Sequence, residues 1–74
     1  MEISVDILRV ALDGAKKSHI VYKANLNFQI VNGFLNTLKT SGLLIGPSED
    51  RIYQTTPKGV DFIEHFNDLE TFLK

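Results

Sequence analysis

The sequence predicts one mostly α-helical domain with a small β-hairpin, in the order helix, helix, helix, hairpin, helix. Apolar residues recur at helical spacing along most of the chain, whereas residues 51–55 alternate apolar and polar side chains. A length of 74 residues allows a single domain at 1–74, with a core at 3–56 and a last helix at 57–74. The chain has no cysteine, which excludes disulfides and thiol chemistry.

The first two helices are short. A helix is predicted over residues 3–13, and Gly14 is expected to end it by taking the left-handed conformation. Residues 16–17 are expected to form an extended link. Ser18 is expected to cap a second helix over residues 19–24, because a serine hydroxyl accepts hydrogen bonds from the first free N–H groups.

The third helix is the longest of the first three. Residues 25–27 break the second helix, Asn27 caps a helix over residues 28–41, and Gly42 ends it. The predicted buried stripe consists of Phe28, Val31, Leu35 and Leu38, with Ile30 and Phe34 at one edge.

After Gly42 the pattern changes to that of a β-hairpin. Residues 43–45 form an apolar run, residues 46–50 are rich in turn-forming types, and residues 51–55 carry strand-forming types. The last helix opens with Thr-Pro at 56–57, where threonine caps and proline fits a first turn that needs no N–H.

This order is that of winged helix-turn-helix domains. In such domains the third helix, here 28–41, enters the DNA major groove, and the hairpin, here 43–55, forms a wing beside the phosphates. The charge distribution agrees, because residues 16–47 carry four lysines and no acid between acidic flanks. Such a block indicates a polyanionic partner, although four lysines are few enough that chance is the alternative explanation.

The solvent-facing side of the third helix carries small uncharged polar residues, where good helix formers are usual. The glycine at position 33 alone costs about 1 kcal/mol relative to alanine. Asparagine and glutamine bind adenine bidentately in the major groove, and glycine permits close approach of the backbone. This side consists of Gln29, Gly33, Asn36 and Thr40, flanked by Asn32, Thr37 and Lys39. We favour base contact over the alternative, a neutral polar surface without a partner.

The last helix carries a heptad seam. The seam consists of Phe62, Phe66, Leu69 and Leu73, widened by Ile63 and Phe72. We expect the small body to leave the distal members exposed in a monomer and buried in a homodimer. The alternative is that they fold back onto Ile3 and Ile7 of the first helix.

No enzymatic activity, metal site or cofactor is predicted. His19 and His65 are far apart and lack ligand spacing, and no phosphate loop, nucleophile triad or zinc-protease motif occurs. No apolar run approaches the ~20 residues of a membrane span, and no basic segment with an apolar run follows Met1. We therefore expect no membrane contact and a cytoplasmic location at the nucleoid.

Three segments resemble small archaeal winged-helix proteins. Residues 14–28 read Gly-Ala-Lys-Lys-Ser-His-Ile-Val-Tyr-Lys-Ala-Asn-Leu-Asn-Phe, similar to that group's Gly-Ala-x-Lys-Thr-His-Ile-Met-Tyr-x-Ala-Asn-Leu-Ser-Tyr. Residues 41–45 and 53–59 resemble its Lys-Gly-Leu-Ile and Tyr-x-Leu-Thr-x-Lys-Gly. The group includes the ten-kilodalton archaeal chromatin proteins and predicted archaeal transcriptional regulators.

The resemblance implies a DNA-binding protein that dimerises through an antiparallel coiled coil of its last helix. The residues assigned to DNA binding are Lys16, Lys17, Lys23, Asn27, Gln29, Asn32, Gly33, Asn36, Lys39, Thr40 and Arg51. The residues assigned to dimerisation are Phe62, Phe66, Leu69, Phe72 and Leu73. The chain differs from the group in its early-ending last helix and its net charge of −1. It also differs at five positions where relatives often carry basic or longer polar residues: Asn27, Gln29, Ile30, Asn32 and Gly33.

The leading hypothesis is a homodimeric DNA-binding transcriptional regulator or nucleoid-associated protein that binds double-stranded DNA. The alternative is a winged helix used for protein–protein contact without intrinsic DNA binding, docking through its acidic last helix or the edge at Ile30. Steep salt dependence of duplex binding would distinguish the two, because phosphate contacts release counterions.

Overall fold

The computed structural model describes residues 3–73, with side chains described for residues 3–69. The elements in chain order are α1 (Ile3–Val10), β1 (Ala15–Lys16), α2 (Lys17–Ala24), α3 (Phe28–Thr40), β2 (Leu44–Ile45), β3 (Ile52–Thr55) and α4 (Pro57–Leu73). Within the described residues, four helices and a small antiparallel sheet confirm the predicted fold class. The first helix ends at Val10 rather than at residue 13, because the chain turns over residues 11–13.

The sheet has three strands in the order β1-β3-β2, rather than the two of the predicted hairpin. Ala15 lies opposite Tyr53, and Leu44 lies opposite Thr55, both in antiparallel register. A strand of two residues shows no alternation of its own, and its partner is distant in the sequence. The local pattern therefore reveals the wing strands but not β1.

α2 begins directly after β1, and this overturns the predicted cap at Ser18. Lys16 occupies the cap position with φ −79° and ψ 156°, and no side chain makes a cap hydrogen bond there. The pairing of Lys16 with Ile52 in the sheet already holds this extended backbone. The helix therefore starts at Lys17, which is helical instead of extended, and Ser18 lies inside its first turn.

α3 is bounded by the two signals that the sequence predicts. The Asn27 side chain accepts a hydrogen bond from the Ile30 N–H at 2.8 Å, which confirms the predicted N-cap. The helix ends at Thr40, Ser41 is the C-cap, and Gly42 follows with a left-handed φ of 80°. The end lies one residue before the predicted boundary.

The core lies between α1, α2 and α3, and the first half of α4 closes it. Its fully buried large side chains are Val5, Ile7, Leu8, Ile20, Val31, Leu35 and Leu44, and α4 contributes Ile63. Burying one such side chain stabilises the fold by about 1.5–3 kcal/mol.

Phe28, a predicted member of the buried stripe, is instead 53% exposed, and Leu12, within the predicted first helix, is 39% exposed. Phe28 is the first residue of α3, where its ring borders a surface cleft rather than the core. Leu12 lies in the turn after α1. Helical periodicity predicts the direction of a side chain, but not whether another element lies over it.

Residues 54–59, here called the junction, hold the C-terminal end of α1. The Thr55 hydroxyl donates to the Leu8 carbonyl at 2.6 Å, and the Thr55 N–H donates to the Ala11 carbonyl at 3.0 Å. The Gln54 amide donates to the Leu12 carbonyl. The last carbonyls of a helix have no partner within it, so the junction satisfies groups that would otherwise be orphaned.

The same junction holds the C-terminal end of α3. The Thr56 hydroxyl donates to the Gly42 carbonyl at 2.7 Å, and its backbone N–H donates to the Leu43 carbonyl at 3.0 Å. The Lys58 ammonium donates to the Ser41 carbonyl at 3.1 Å. Three consecutive carbonyls after α3 are thereby bound to the start of α4.

The junction also starts α4. The Thr56 hydroxyl accepts a hydrogen bond from the Gly59 N–H at 3.0 Å, as predicted for an N-cap. Position 59 requires glycine, because a Cβ there would collide with the Leu43 carbonyl oxygen and the Thr55 methyl group. α4 therefore lies directly against the base of the wing.

Replacing Thr56 with alanine removes both the cap of α4 and the bond to the Gly42 carbonyl. We expect Thr56→Ala to lower the free energy of unfolding by about 1–2 kcal/mol, measured by urea denaturation. Thr40→Ala is the matched control, because Thr40 is exposed on α3 and alanine is a better helix former. Equal stability of the two variants would contradict the role given to the junction.

Candidate nucleic-acid interface

The turn between α2 and α3 is fixed by backbone geometry. Asn25 takes a left-handed conformation with φ 56°, and its N–H donates to the Tyr22 carbonyl at 3.3 Å. The Leu26 N–H donates to the Val21 carbonyl at 3.2 Å, and the Leu26 side chain packs against the core. Asparagine tolerates this conformation better than most residues, which explains the Ala-Asn-Leu sequence. The turn thereby holds α3 at a defined angle to α2.

The outer side of α3 is exposed along its whole length. Its exposed residues are Gln29, Asn32, Gly33, Asn36, Thr37, Lys39 and Thr40. A Cβ added at Gly33 would meet no atom within 4 Å, so no packing contact explains the glycine. The Thr37 hydroxyl donates to the Gly33 carbonyl at 3.0 Å and is used within the helix. Asn27, a predicted DNA contact, uses its side-chain oxygen to cap α3.

A cleft of about 480 Å³ opens between the start of α2, the start of α3 and the wing. Its lining residues are Lys16, Lys17, Ser18, Phe28, Pro47, Arg51 and Tyr53. Three of the predicted basic residues are thus brought together, and none of these seven is acidic. β1 supplies the position of Lys16, since its pairing with β3 places the start of α2 beside the wing.

The wing turn is built on residues 46–52. The Ser48 hydroxyl accepts a hydrogen bond from the Ile52 N–H at 3.2 Å, and the Ser48 carbonyl accepts from the Arg51 N–H at 2.8 Å. Gly46 has φ 127°, and a Cβ there would lie 2.7 Å from the Ile52 carbonyl oxygen. Arg51 itself takes a left-handed φ of 63°, an unfavourable conformation for an arginine. This backbone places Arg51 at the cleft.

A family model described as winged helix-turn-helix matches residues 1–74. This chain belongs to the winged helix-turn-helix family. No curated protein matches the sequence.

Two solved structures share the winged-helix fold. Sso10a-2, a DNA-binding protein from Sulfolobus solfataricus, is 30% identical, with a TM-score of 0.75, over 96% of this chain and 80% of that one. BpsR of Bordetella bronchiseptica, whose DNA binding is regulated by 6-hydroxynicotinic acid, is 20% identical, with a TM-score of 0.77. The match covers 88% of this chain and 51% of BpsR, so the chain spans about half the length of that protein.

Three cleft residues of this winged helix are not predictable from the sequence as site residues: Phe28, Pro47 and Tyr53. Phe28 fits the apolar stripe of α3, and Tyr53 and Pro47 fit an ordinary strand and an ordinary turn. Phe28 lies within the basic block of residues 16–47, and Tyr53 lies two residues after Arg51. These positions are the only indication in the sequence that the two aromatic side chains belong to a site.

Lys23 lies apart from this cleft. It lines a groove between α1 and α2, where Asp6 and Arg9 are also found. The winged helix therefore groups Lys16, Lys17 and Arg51 but not Lys23.

Within the described residues, no group of three His, Asp or Glu is placed to hold a metal ion, and no helix is long and apolar enough to cross a membrane.

The predicted dimerisation residues divide into three sets. Phe66 is half-buried and packs against the core, whereas Phe62 and Leu69 are exposed by 39% and 59%. Phe72 and Leu73 lie beyond the described side chains. α4 is also tied to α1 by a hydrogen bond from Arg9 to the Asn67 side chain.

The left-handed backbone at Arg51 predicts that a glycine at this position gives a more stable protein than an alanine. Glycine adopts this conformation freely, whereas for a residue with a Cβ it costs about 1–2 kcal/mol. We expect Arg51→Gly to be more stable to urea than Arg51→Ala by about 1 kcal/mol, although both remove the same charge. A more stable Arg51→Ala variant would contradict the described wing geometry.

Proposed function

We propose that this protein is a homodimeric regulator or nucleoid-associated protein that binds double-stranded DNA. The observation that carries the proposal is the exposed, amide-rich and acid-free side of α3 next to a cleft with three cationic side chains. Sso10a-2, described as a DNA-binding protein, supports it at 30% identity. The regulated DNA binding of BpsR is consistent with it through the shared fold.

In this proposal α3 lies in the major groove. At 100° per residue, Gln29, Gly33, Asn36 and Thr40 lie within about 60° of one another, opposite the buried side. Asn36 and Gln29 would contact base edges, and Gly33 lets the helix approach closely. Asn32 and Lys39 lie on the flank of this face, where a flexible ammonium reaches a phosphate.

The cations of the cleft would bind the phosphates on either side of the groove. Lys16 and Lys17 come from the β1–α2 boundary, and Arg51 comes from the wing. Because β1 pairs with β3, the three cations lie on neighbouring elements, which in this proposal face the backbone of a duplex together. Phosphate contacts of this kind set position and affinity, whereas base contacts from α3 would set specificity.

The homodimer part of the proposal depends on the outer side of α4. Phe62 and Leu69 are large apolar residues that the core does not cover. Pairing of two α4 helices would bury them and hold two α3 helices in a fixed relation, as a dimeric reader of half-sites needs.

A second candidate function, docking to another protein, has one observation in its favour. A shallow depression of about 330 Å³ is lined by Ile30, Gly33, Phe34 and Thr37 of α3 and by Ser4 of α1. Ile30, 46% exposed, and half-buried Phe34 together give this depression an apolar patch, the kind of surface that marks a protein contact. Either an absence of duplex binding or duplex binding whose affinity does not depend on salt would favour this candidate.

The first prediction concerns phosphate contacts. Fluorescence anisotropy of a labelled duplex is expected to show affinity that falls steeply with salt. Replacing Lys16, Lys17 and Lys39 with alanine should weaken binding to all duplexes alike and reduce the log–log slope by ~0.9 for each phosphate that is no longer bound. Arg9→Gln, which removes a positive charge from the groove between α1 and α2, is the control for a change in net charge. If circular dichroism shows that the triple variant is folded and its affinity for DNA is unchanged, the proposed DNA face is refuted.

The second prediction concerns sequence preference. Asn36→Ala should cost about 1–3 kcal/mol on a duplex selected from a random pool and little on unselected DNA, because it removes a base contact. Glu64→Gln is the control, since Glu64 is exposed on α4 instead of on the groove side of α3. Equal losses on both duplexes would restrict Asn36 to phosphate contact.

The third prediction concerns assembly. Light scattering at micromolar concentration is expected to give the mass of a dimer for the unmodified protein. Leu69→Asp should give a monomer that keeps its circular dichroism spectrum, because a charge at the pairing surface leaves the core intact. Asn67→Asp, which adds the same charge on another side of α4 and keeps an oxygen to accept from Arg9, is the matched control. A monomeric unmodified protein would refute the dimer.

A further inference from the structure

We propose that the first turn of α3 selects A·T base pairs, with Phe28 and Ile30 in contact with the C5-methyl groups of thymine. The inference rests on the proposed DNA binding and deepens it, because it names the base pairs that the protein recognises and adds two apolar residues to the binding face. It stands on the exposure of these two side chains, on their places beside Gln29 and on the residue types that α3 lacks.

Phe28 and Ile30 are the two large apolar residues that the core leaves exposed on α3. Phe28 is 53% exposed and Ile30 is 46% exposed. Neither is a strong helix former, so helix stability does not explain them at an exposed position. The Asn27 side chain, which accepts from the Ile30 N–H at 2.8 Å, holds the backbone of this turn. The other large apolar residues of α3 are buried or half-buried: Val31, Phe34, Leu35 and Leu38.

The first turn places an amide between two apolar side chains. At 100° per residue, Gln29 lies 100° from Phe28 on one side and 100° from Ile30 on the other. The N-terminal residues of a recognition helix are those that contact base edges in helix-turn-helix complexes. In the major groove an A·T pair presents N7 and N6 of adenine beside O4 and the methyl group of thymine. An amide flanked by apolar groups therefore matches both parts of that edge.

The residue types that α3 lacks are those that bind G·C pairs. Guanine is bound bidentately by arginine or lysine, and cytosine donates to carboxylates. α3 contains no Arg, Asp or Glu. Its one cation, Lys39, lies ten residues after Gln29, about 15 Å farther along the helix axis. Gln29, Asn32 and Asn36 are instead of the type that binds adenine, so the face favours A·T pairs.

The positions of the two apolar residues favour DNA over a protein as the ligand that covers them. Phe28 lines the cleft together with Lys16 and Arg51, whereas Ile30 lines the depression beside Phe34 on the other edge of the exposed face. The major groove admits a whole helix and encloses it on both sides. A duplex can therefore cover both residues at once, whereas a protein docked in the depression would cover Ile30 alone.

The test is fluorescence anisotropy with three labelled duplexes of equal length at one salt concentration. The first has a core of A·T pairs, the second has a core of G·C pairs, and the third is the first with uracil in place of every core thymine. Uracil differs from thymine only by the missing C5-methyl group. We expect the G·C duplex to bind at least tenfold more weakly than the A·T duplex. The uracil duplex should lose about fourfold for each methyl contact, the effect of burying one methylene-sized group.

Two protein variants assign the methyl contacts to their side chains. Phe28→Ala and Ile30→Ala should each reduce the thymine-to-uracil affinity ratio, because the side chain that touches a methyl group is gone. Ile45→Ala is the matched control, since Ile45 is 58% exposed and lies opposite Gln54, on the sheet face away from Tyr53 and the cleft. It should leave the ratio unchanged. The ratio compares two duplexes on one protein, so a loss of stability in a variant cancels.

The possible outcomes separate this inference from the proposed function. Equal affinity for all three duplexes would overturn the inference and leave DNA binding intact. An A·T preference that survives the uracil substitution would overturn it as well, because DNA shape would then account for the preference. So would a thymine-to-uracil ratio that neither Phe28→Ala nor Ile30→Ala changes. An absence of binding to every duplex would overturn the proposed function together with the inference.

Discussion

The structure depends on one short segment that ends two helices and begins a third. The junction, residues 54–59, satisfies carbonyls at the ends of α1 and α3 from neighbouring positions of the chain. A small domain has little apolar core with which to fix helix orientation, so these bonds carry unusual weight. They hold α3 and the wing in one relation, because β3 belongs to the wing and runs directly into the junction.

This arrangement explains how α3 tolerates its own sequence. Its outer side carries glycine, asparagine and threonine, which weaken a helix. Both ends are nevertheless secured, by the Asn27 cap at the start and by Thr56 and Lys58 beyond the end. Buried Val31, Leu35 and Leu38 hold the inner side. The outer side can therefore carry poor helix formers, as the proposed contact with DNA would require. Arg51, in its strained wing position, fits the same proposal.

Much of the fold can be predicted from local signals. The Asn27 cap, Gly42 after α3 and the Thr-Pro start of α4 each act through neighbouring backbone groups, so their sequence is sufficient. β1 cannot be predicted in this way, because its two residues become a strand only by pairing with β3. The false cap at Ser18 follows from the same cause. The cleft depends on the same pairing, which is why Lys16 and Arg51 are predicted individually but their meeting with Phe28 and Tyr53 is not.

We propose that α3, the start of α2 and the wing form one DNA-binding surface. The most direct measurement is a titration of the isotope-labelled protein with a short duplex, followed by backbone amide chemical shifts. We predict progressive shifts at residues 16–18, 29–40 and 47–51, and none on the acidic outer side of α4. Shifts concentrated on α4 or around Ser4 of α1, with residues 16–18 and 47–51 unaffected, would contradict a DNA-binding surface at this position.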